Sequence, residues 1–351
     1  MQKPKILVVV LNWGLGHASR CIPLIAALEQ QGFEPIVASD GLALALLTKN
    51  FPHLKSYRLQ AYEVRYSRKP AFLKAILAFQ VFSWIKNNYF DKKQILAIHK
   101  KEKLSGVISD NRPGAVLLGI PSVYLTHQTS ILGAGQSIAN MLHWHVIRAH
   151  SHCWIPDFTH KLAFAGKLSQ HKTSKQVKIK KIGLLSQLKA DTHPVAKKHI
   201  CILLSGPEPQ RSELEVILLK AIEFSKIPVV LIRGSDKKLK LDKVPNHLEI
   251  IDFATRTEVQ HVLERSHFVI ARSGYSSLMD FCALGLKAFL IPTPGQPEQK
   301  YLASYFSKQG WAASCTQEAF TWRKLEALKN IKGFPTFEAP DFKALFSIFR
   351  A

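Results

Sequence analysis

The stretch KILVVVLNWGLGHASR, residues 5–20, decides the architecture. It begins with a short continuous apolar run, Lys5 to Leu11, as in a parallel strand buried on both faces. Gly14 and Gly16 follow, with His17 directly behind them. From Ala18 to Gln31 apolar residues recur at helical spacing, and Gly32 closes the segment. A strand, a glycine turn and a helix make the first unit of a doubly wound α/β domain.

The same rhythm continues outward. PIVASD (Pro35 to Asp40), SGVISD (Ser105 to Asp110) and SVYLTH (Ser122 to His127) read as further strands. Residues 165–198 are polar and basic, with little core material, and read as a linker. The rhythm restarts with HICILLSG (His199 to Gly206), PVVLIRG (Pro228 to Gly234), LEIIDF (Leu248 to Phe253), HFVIARSG (His267 to Gly274) and KAFLIP (Lys287 to Pro292). The expectation is an α/β chain with two Rossmann-like domains facing across a cleft. Residues 1–190 form the first domain, and residues 191–351 the second, with a helical tail from about Gln317. Ligands in such folds bind at the carboxyl ends of the strands.

The chain has 351 residues, enough for two domains with proper cores. Lys and Arg total 48 against 25 Asp and Glu, giving a net charge of +23 and an attraction to anionic partners. The five cysteines are scattered singly, without CxxC, as expected of reduced thiols in a cytoplasm. No apolar run reaches the roughly 18 residues of a membrane span. The N-terminal lysines and apolar run lead into the glycine loop without a cleavage site, so they read as a strand and not a signal peptide.

Several motifs carry chemistry. The opening loop lacks the third glycine of the dinucleotide fingerprint, and Arg20 stands in its place. His17 is then either an exposed residue on an ordinary turn or a general base at a helix N-terminus. Asp110 ends a strand of the same domain. It either orients His17 through one ring nitrogen or caps the turn made by Pro113 and Gly114. In ARSGYSSLMDFCALGLKAFLIPTPGQPEQKYLA (Ala271 to Ala303), a strand ends at Arg272 and turns at Ser273 and Gly274. A helix opens at Tyr275, Ser276 and Ser277, and its first amides suit a pyrophosphate. Asp280, two turns in, suits ribose hydroxyls, and Glu298 and Gln299 suit a sugar. HWHVIRAHSHC (His143 to Cys153) has HxH spacing, but on a helix His143 and His145 point apart, so no metal site is expected.

Together these residues resemble the GT-B nucleotide-sugar glycosyltransferases, of the MurG-like and UDP-glycosyltransferase-like type, over about residues 5 to 310. NWGLGH resembles their Gly-Gly-His loop, IPSVYLTHQ (Ile120 to Gln128) their segment after the fourth strand, and SHFVIARSGYSSLMD their pyrophosphate and ribose segment. The resemblance implies an inverting, metal-independent hexosyltransferase. His17 would be the base. Asp110 is without a match in the MurG-like pattern and is similar to the partner in the UDP-glycosyltransferase dyad. Ser273, Gly274, Tyr275 and Ser276 would hold pyrophosphate, Asp280 ribose, Phe253 and the backbone before it the base, and Glu298 and Gln299 the donor sugar. Asn12, Gly14, Gly16, Arg112, His127 and Gln128 fall on the acceptor side of the cleft.

There are departures. SGPEPQR (Ser205 to Arg211) replaces a Gly-Gly-Ser phosphate cradle, and its prolines lack N–H donors, so Arg211 or Arg272 is expected to supply the charge. Lys300 replaces the second Gln of the donor-sugar pair. No cofactor is expected beyond a UDP-sugar co-substrate. The acceptor is a hydroxyl, lipid-linked or of the cell envelope in one reading, with the enzyme at the inner face of the membrane. The face built from Tyr62, Tyr66, Phe72, Phe79, Phe82 and Trp84 with Arg65, Arg68, Lys69, Lys74 and Lys86 either meets anionic lipid or packs in the core. Two other classes stay open: an epimerase or hydrolase on the same fold, and a basic nucleic-acid-binding protein. The second finds no recognition motif in the chain, and no nucleic-acid partner is expected.

Overall fold

The structure, a computed structural model, describes residues 3–62, 73–133, 135–158, 163–170, 174–190, 195–235, 239, 244–335 and 339–350, and for 73–85 the backbone alone. The membrane-face residues Arg65, Tyr66, Arg68, Lys69 and Phe72, and the side chains of Lys74, Phe79, Phe82 and Trp84, lie outside that description. The chain divides into two compact units. One comprises residues 1–185 with 339–351, the other residues 186–338.

The first unit holds seven strands: β1 (Lys5–Val10), β2 (Glu34–Ser39), β3 (Ser56–Arg58), β4 (Gly106–Asp110), β5 (Ser122–Leu125), β6 (His152–Ile155) and β7 (Lys178–Lys181). Their order is β3-β2-β1-β4-β5-β6-β7, parallel throughout. Helices α1 (Leu15–Gln30), α2 (Gly41–Asn50), α3 (Leu73–Glu102) and α4 (Gln136–Ala149) connect them. Ile6 to Val10 are completely buried, as the apolar run requires. The chain reverses its winding between β1 and β4, the crevice where doubly wound folds bind ligands.

The second unit repeats the plan with β8 (His199–Leu203), β9 (Val229–Ile232), β10 (Leu248–Ile251), β11 (Ser266–Ala271), β12 (Ala288–Leu290) and β13 (Ala312–Ser314). The order is β10-β9-β8-β11-β12-β13, again all parallel. Helices α5 (Gln210–Ile222), α6 (Arg256–Glu264), α7 (Tyr275–Ala283) and α8 (Pro297–Lys308) cover the sheet. The switch point lies between β8 and β11. One core joins Ile200, Ile202, Leu231, Ile270 and Phe289 of the strands to Leu214 and Leu218 of α5.

Two boundary expectations are corrected. The basic stretch 165–198 is not all linker: Lys178–Lys181 is an edge strand of the first sheet, and Ile182, Leu184 and Leu185 are buried after it. Lysines suit an edge, where they discourage pairing with other chains. The division falls between Leu185 and Ser186. The tail is also reassigned. Residues 339–351, including α9 (Phe342–Phe346), return to the first unit. There Phe346 stands edge-on to Phe33 at 5.8 Å, Phe349 faces Trp154 at 6.2 Å, and Arg350 donates to the Gln31 carbonyl at 2.6 Å. Gly106 leaves the space that Phe349 fills: a Cβ there would lie 2.3 Å from the Phe349 ring.

Candidate active site

In the first unit the site grows from the ends of β1 and β4. Gly14 caps α1 with φ of +74°, a conformation that glycine adopts without penalty, and this starts the helix at once after the strand. His17 therefore sits in the first turn of α1. Val10 and Asp110 are register partners on adjacent strands, so the carboxylate emerges beside the loop. Nδ1 of His17 lies 3.0 Å from Oδ1 of Asp110.

Asp110 is fully buried and shared among several donors. Arg20 Nε donates to its Oδ2 at 2.7 Å, Arg20 Nη2 to its Oδ1, and the Cys21 thiol to its Oδ2 at 3.2 Å. Burial pushes the carboxyl upward, but the opposing charge of Arg20 and the contact with His17 win and hold it well below the usual carboxylate range. The carboxylate is thus anionic at neutral pH. Burial beside that anion pushes the Cys21 thiol well up, so it stays protonated.

An anionic Asp110 fixes the hydrogen on Nδ1 of His17 and leaves a lone pair on Nε2, the state of an oriented base. His127 joins the same group, its Nδ1 2.9 Å from Arg20 Nη1. Gln128 is held by its backbone: its amide donates to Thr126 Oγ1 at 3.2 Å, and its carbonyl accepts from His143 Nε2 at 2.7 Å. His143 and His150 each donate a ring nitrogen to a backbone carbonyl, and burial pushes both down to about 4. Among the described residues no three His, Cys, Asp or Glu are grouped to hold a metal ion.

Arg112 has a different place from the one expected. It is fully buried and binds Asp40 Oδ1 at 2.8 Å, Asp91 Oδ1 at 2.9 Å and the Gln60 carbonyl at 2.7 Å, with its guanidinium over the Tyr62 ring. It ties α3 to the end of β2 and is an internal brace. Asn12 belongs to the same brace. Its Nδ2 donates to Asp40 Oδ2 at 3.0 Å, and its Oδ1 accepts from the Ala43 amide at 3.2 Å. Gly16 is half-buried in α1.

In the second unit the strand β11 runs into the Ser273–Gly274 turn and α7. Gly274 caps α7 without a side-chain capping bond, and a Cβ built on it meets nothing within 4 Å. This is open space in front of a helix N-terminus, the environment that favours an anion. Tyr275 is buried, and Ser276 is half-buried. Phe253 is 60% exposed, beyond the end of β10. Glu298 is half-buried in the first turn of α8.

Five residues expected to contact ligand have side chains that bond within the unit. Arg272 is buried and donates to the carbonyls of Ile291, Pro292 and Gln210 and to Gln317 Oε1, and burial pushes it down to about 10. Arg211 is bracketed by Glu208 and Glu215, at 2.7 and 3.4 Å. Glu215 and Asp252 in turn bind Arg233. Ser273 donates its hydroxyl to the Gln299 carbonyl at 2.8 Å. The Gln299 amide accepts from the Thr293 amide and donates to Gln296, so it braces the loop after β12. Asp280 accepts from Ser186 Oγ at 2.5 Å, and burial raises its carboxyl to about 6 against the pull of Ser186 and Arg256.

Sequence reasoning missed Arg20, seen only as an absent glycine, and Ser186. The signal for Arg20 was its spacing: three residues after His17 on a helix, it shares His17's face.

Residues 211–340 match the model of the glycosyltransferase family 28 C-terminal domain. An uncharacterized glycosyltransferase of Methanosarcina mazei is 24% identical over 336 residues, covering 88% of this chain and 84% of the relative. The UDP-N-acetylglucosamine--N-acetylmuramyl-(pentapeptide) pyrophosphoryl-undecaprenol N-acetylglucosamine transferase of Helicobacter pylori is 29% identical over 136 residues, covering 36% of this chain and 38% of the relative. Among solved structures, a calicheamicin glycosyltransferase superposes with a TM-score of 0.65 at 14% identity, covering 100% of this chain and 94% of the other.

Proposed function

We propose that this chain, a glycosyltransferase of the GT-B fold, moves a hexose from a UDP-sugar to a hydroxyl acceptor with inversion at the anomeric carbon. The observation that carries the reading is the His17–Asp110 pair at the switch point of the first sheet. His17 Nε2 takes the acceptor's hydroxyl proton as the oxygen attacks the anomeric carbon. The bond from that carbon to the diphosphate breaks, and its electron pair leaves with UDP. The first amides of α7, at Gly274, Tyr275 and Ser276, take up the charge that develops on the diphosphate.

With Arg211 and Arg272 engaged within the unit, the charge of the leaving group is assigned to the helix amides; metal independence is carried over from the resemblance to GT-B transferases. Activity is therefore expected to survive EDTA. Asp280 is assigned to the ribose, a role in which it exchanges Ser186 for a sugar hydroxyl. Phe253 and the backbone before it are assigned to uracil, and Glu298 to the donor sugar.

The Helicobacter pylori relative is named for UDP-N-acetylglucosamine and an undecaprenol-linked acceptor. That name and the net charge of +23 support a UDP donor and a lipid-linked acceptor, with the enzyme in the cytoplasm and in peripheral contact with an anionic membrane face. Among the described residues no helix is long and apolar enough to cross a membrane.

The experiment has two arms. Thermal-shift titration with UDP, dTDP and GDP is expected to stabilise the protein most with UDP. Labelled UDP-sugar is then offered with and without undecaprenyl-linked and diacylglycerol acceptors. Transfer that needs an acceptor and is lost in His17→Ala supports the reading. No stabilisation by any nucleotide, or epimerised donor without acceptor, sinks it.

A further inference from the structure

Arg20 stands where a dinucleotide loop would carry its third glycine. Its side chain is almost completely buried, a placement that is costly for a charge without partners. The guanidinium fork grips both oxygens of Asp110, through Nε at 2.7 Å and through Nη2. Its third nitrogen, Nη1, lies 2.9 Å from Nδ1 of His127. A guanidinium has no acceptor and stays protonated in proteins. Nδ1 of His127 must therefore accept, and the ring hydrogen of neutral His127 sits on Nε2.

His17 obeys the opposite rule. Its Nδ1 is 3.0 Å from Asp110 Oδ1 and also 3.0 Å from Arg20 Nη2. A lone pair on Nδ1 would face the lone pairs of an anionic oxygen. The hydrogen therefore belongs on Nδ1, pointing at Asp110; of the two hydrogens on Nη2 one goes to the same carboxylate, and the anionic oxygen outcompetes the neutral ring nitrogen for them.

We propose that Arg20 is a positioning residue that sets opposite tautomers on two histidines with one guanidinium. Through Asp110 it leaves His17 with a lone pair at Nε2, and by direct donation it leaves His127 with a hydrogen at Nε2. The importance of this for catalysis rests on the reading of His17 as base. The tautomers themselves do not.

The test is long-range proton–nitrogen correlation spectroscopy on the full chain labelled with nitrogen-15 histidine, at a pH where both rings are neutral. His17→Gln and His127→Gln assign the signals. The expected result is a protonated Nδ1 on His17 and a protonated Nε2 on His127. The reverse on either ring in the wild-type protein overturns the proposal.

In Arg20→Gln, His127 is expected to become a mixture of tautomers. In the same variant kcat, counted per folded molecule from the histidine signals, is expected to fall roughly 100-fold, with the donor KM changed less than about twofold; the normalisation is needed because loss of folded protein lowers apparent kcat without moving KM. Should Arg20→Gln fail to fold, Arg20→Lys keeps the charge but lacks the three-way fork, and the same signals are read there. Unchanged tautomers in a folded variant overturn the proposal. If the tautomers are as stated and His17→Gln transfers sugar at the wild-type rate, the base assignment falls and the role of Arg20 stands.

Discussion

His17 and Asp110, 93 residues apart in sequence, meet with Nδ1 3.0 Å from Oδ1 because α1 starts directly after β1, the sheet neighbour of β4, where Asp110 sits. Replacing either one should abolish the oriented base, with different costs to the fold. His17→Gln removes a partly exposed ring and is expected to lower kcat by roughly 10²–10⁴-fold without moving the urea midpoint. Asp110→Asn is expected to lower kcat as much and also to destabilise the first unit by about 3–5 kcal/mol, because Arg20 is left buried without its counter-charge. Equal midpoints for the two variants would contradict the buried pair.

Gly274 tests the donor end. Its φ of −75° is open to any residue, and an added Cβ meets nothing within 4 Å. Gly274→Ala should therefore fold with an unchanged melting temperature. The methyl group intrudes where the diphosphate is assigned, so the KM for UDP-sugar is expected to rise about tenfold, the equivalent of roughly 1.4 kcal/mol. A KM equal to wild type would remove the anion from this turn.

Arg272 was legible as an arginine at a strand end, and that position alone suggests anion binding. What the sequence does not display is that three carbonyls and Gln317 converge on it. Arg272→Met is expected to destabilise the second unit by about 3 kcal/mol or more, since several buried acceptors lose their donor together. Arg272→Lys should recover only part of this, a single ammonium being unable to span the set. Denaturation curves of both variants check the order.

The parts legible from the sequence were those with local signals. The run at Lys5 to Leu11, the glycine turns after β1 and β11, and the strand-ending Asp110 all follow from residue type and spacing. Long-range pairing was not legible. Lys178–Lys181 looks like a solvated tether because an edge strand carries its lysines outward. Phe346 and Phe349 look like a tail of the nearer domain because nothing local ties them to Phe33 and Trp154. Arg112 looks like a ligand contact because its carboxylates, Asp40 and Asp91, are far from it in sequence; those of Arg211, Glu208 and Glu215, stand three and four residues away and were readable as local pairs. Counter-charges brought in from a distance are what separate a structural arginine from a binding one.

The returning tail has a measurable role. Phe349 fills the space above Gly106, and Phe346 packs on Phe33 and Trp154. Phe349→Ala should cost the first unit about 3–5 kcal/mol, as for other buried aromatics. Gly106→Ala should displace the same ring and behave similarly. Hydrogen exchange is the readout: faster exchange is expected in β1 and β4, with β8 and β11 unaffected. Uniform loss of protection in both sheets would contradict the assignment of residues 339–351 to the first unit.

Asp280 gives the fold a pH dependence of unusual sign. Its carboxyl titrates at about 6 in the folded protein and near 3.9 in an unfolded chain. Between those values the folded state holds a proton that the unfolded state has released, so stability falls as pH rises through this window and stays lowered above it. Asp280→Asn keeps an acceptor for the Ser186 hydroxyl and carries no charge. It is expected to raise the melting temperature at pH 8, by roughly 2–6 °C for a unit of this size, and to have little effect at pH 4. Because the ribose assignment needs a carboxylate, the same variant should bind UDP more weakly while being the more stable protein. An asparagine variant less stable than wild type at pH 8 would mean that the ionised carboxylate is held by stronger partners than Ser186 and Arg256.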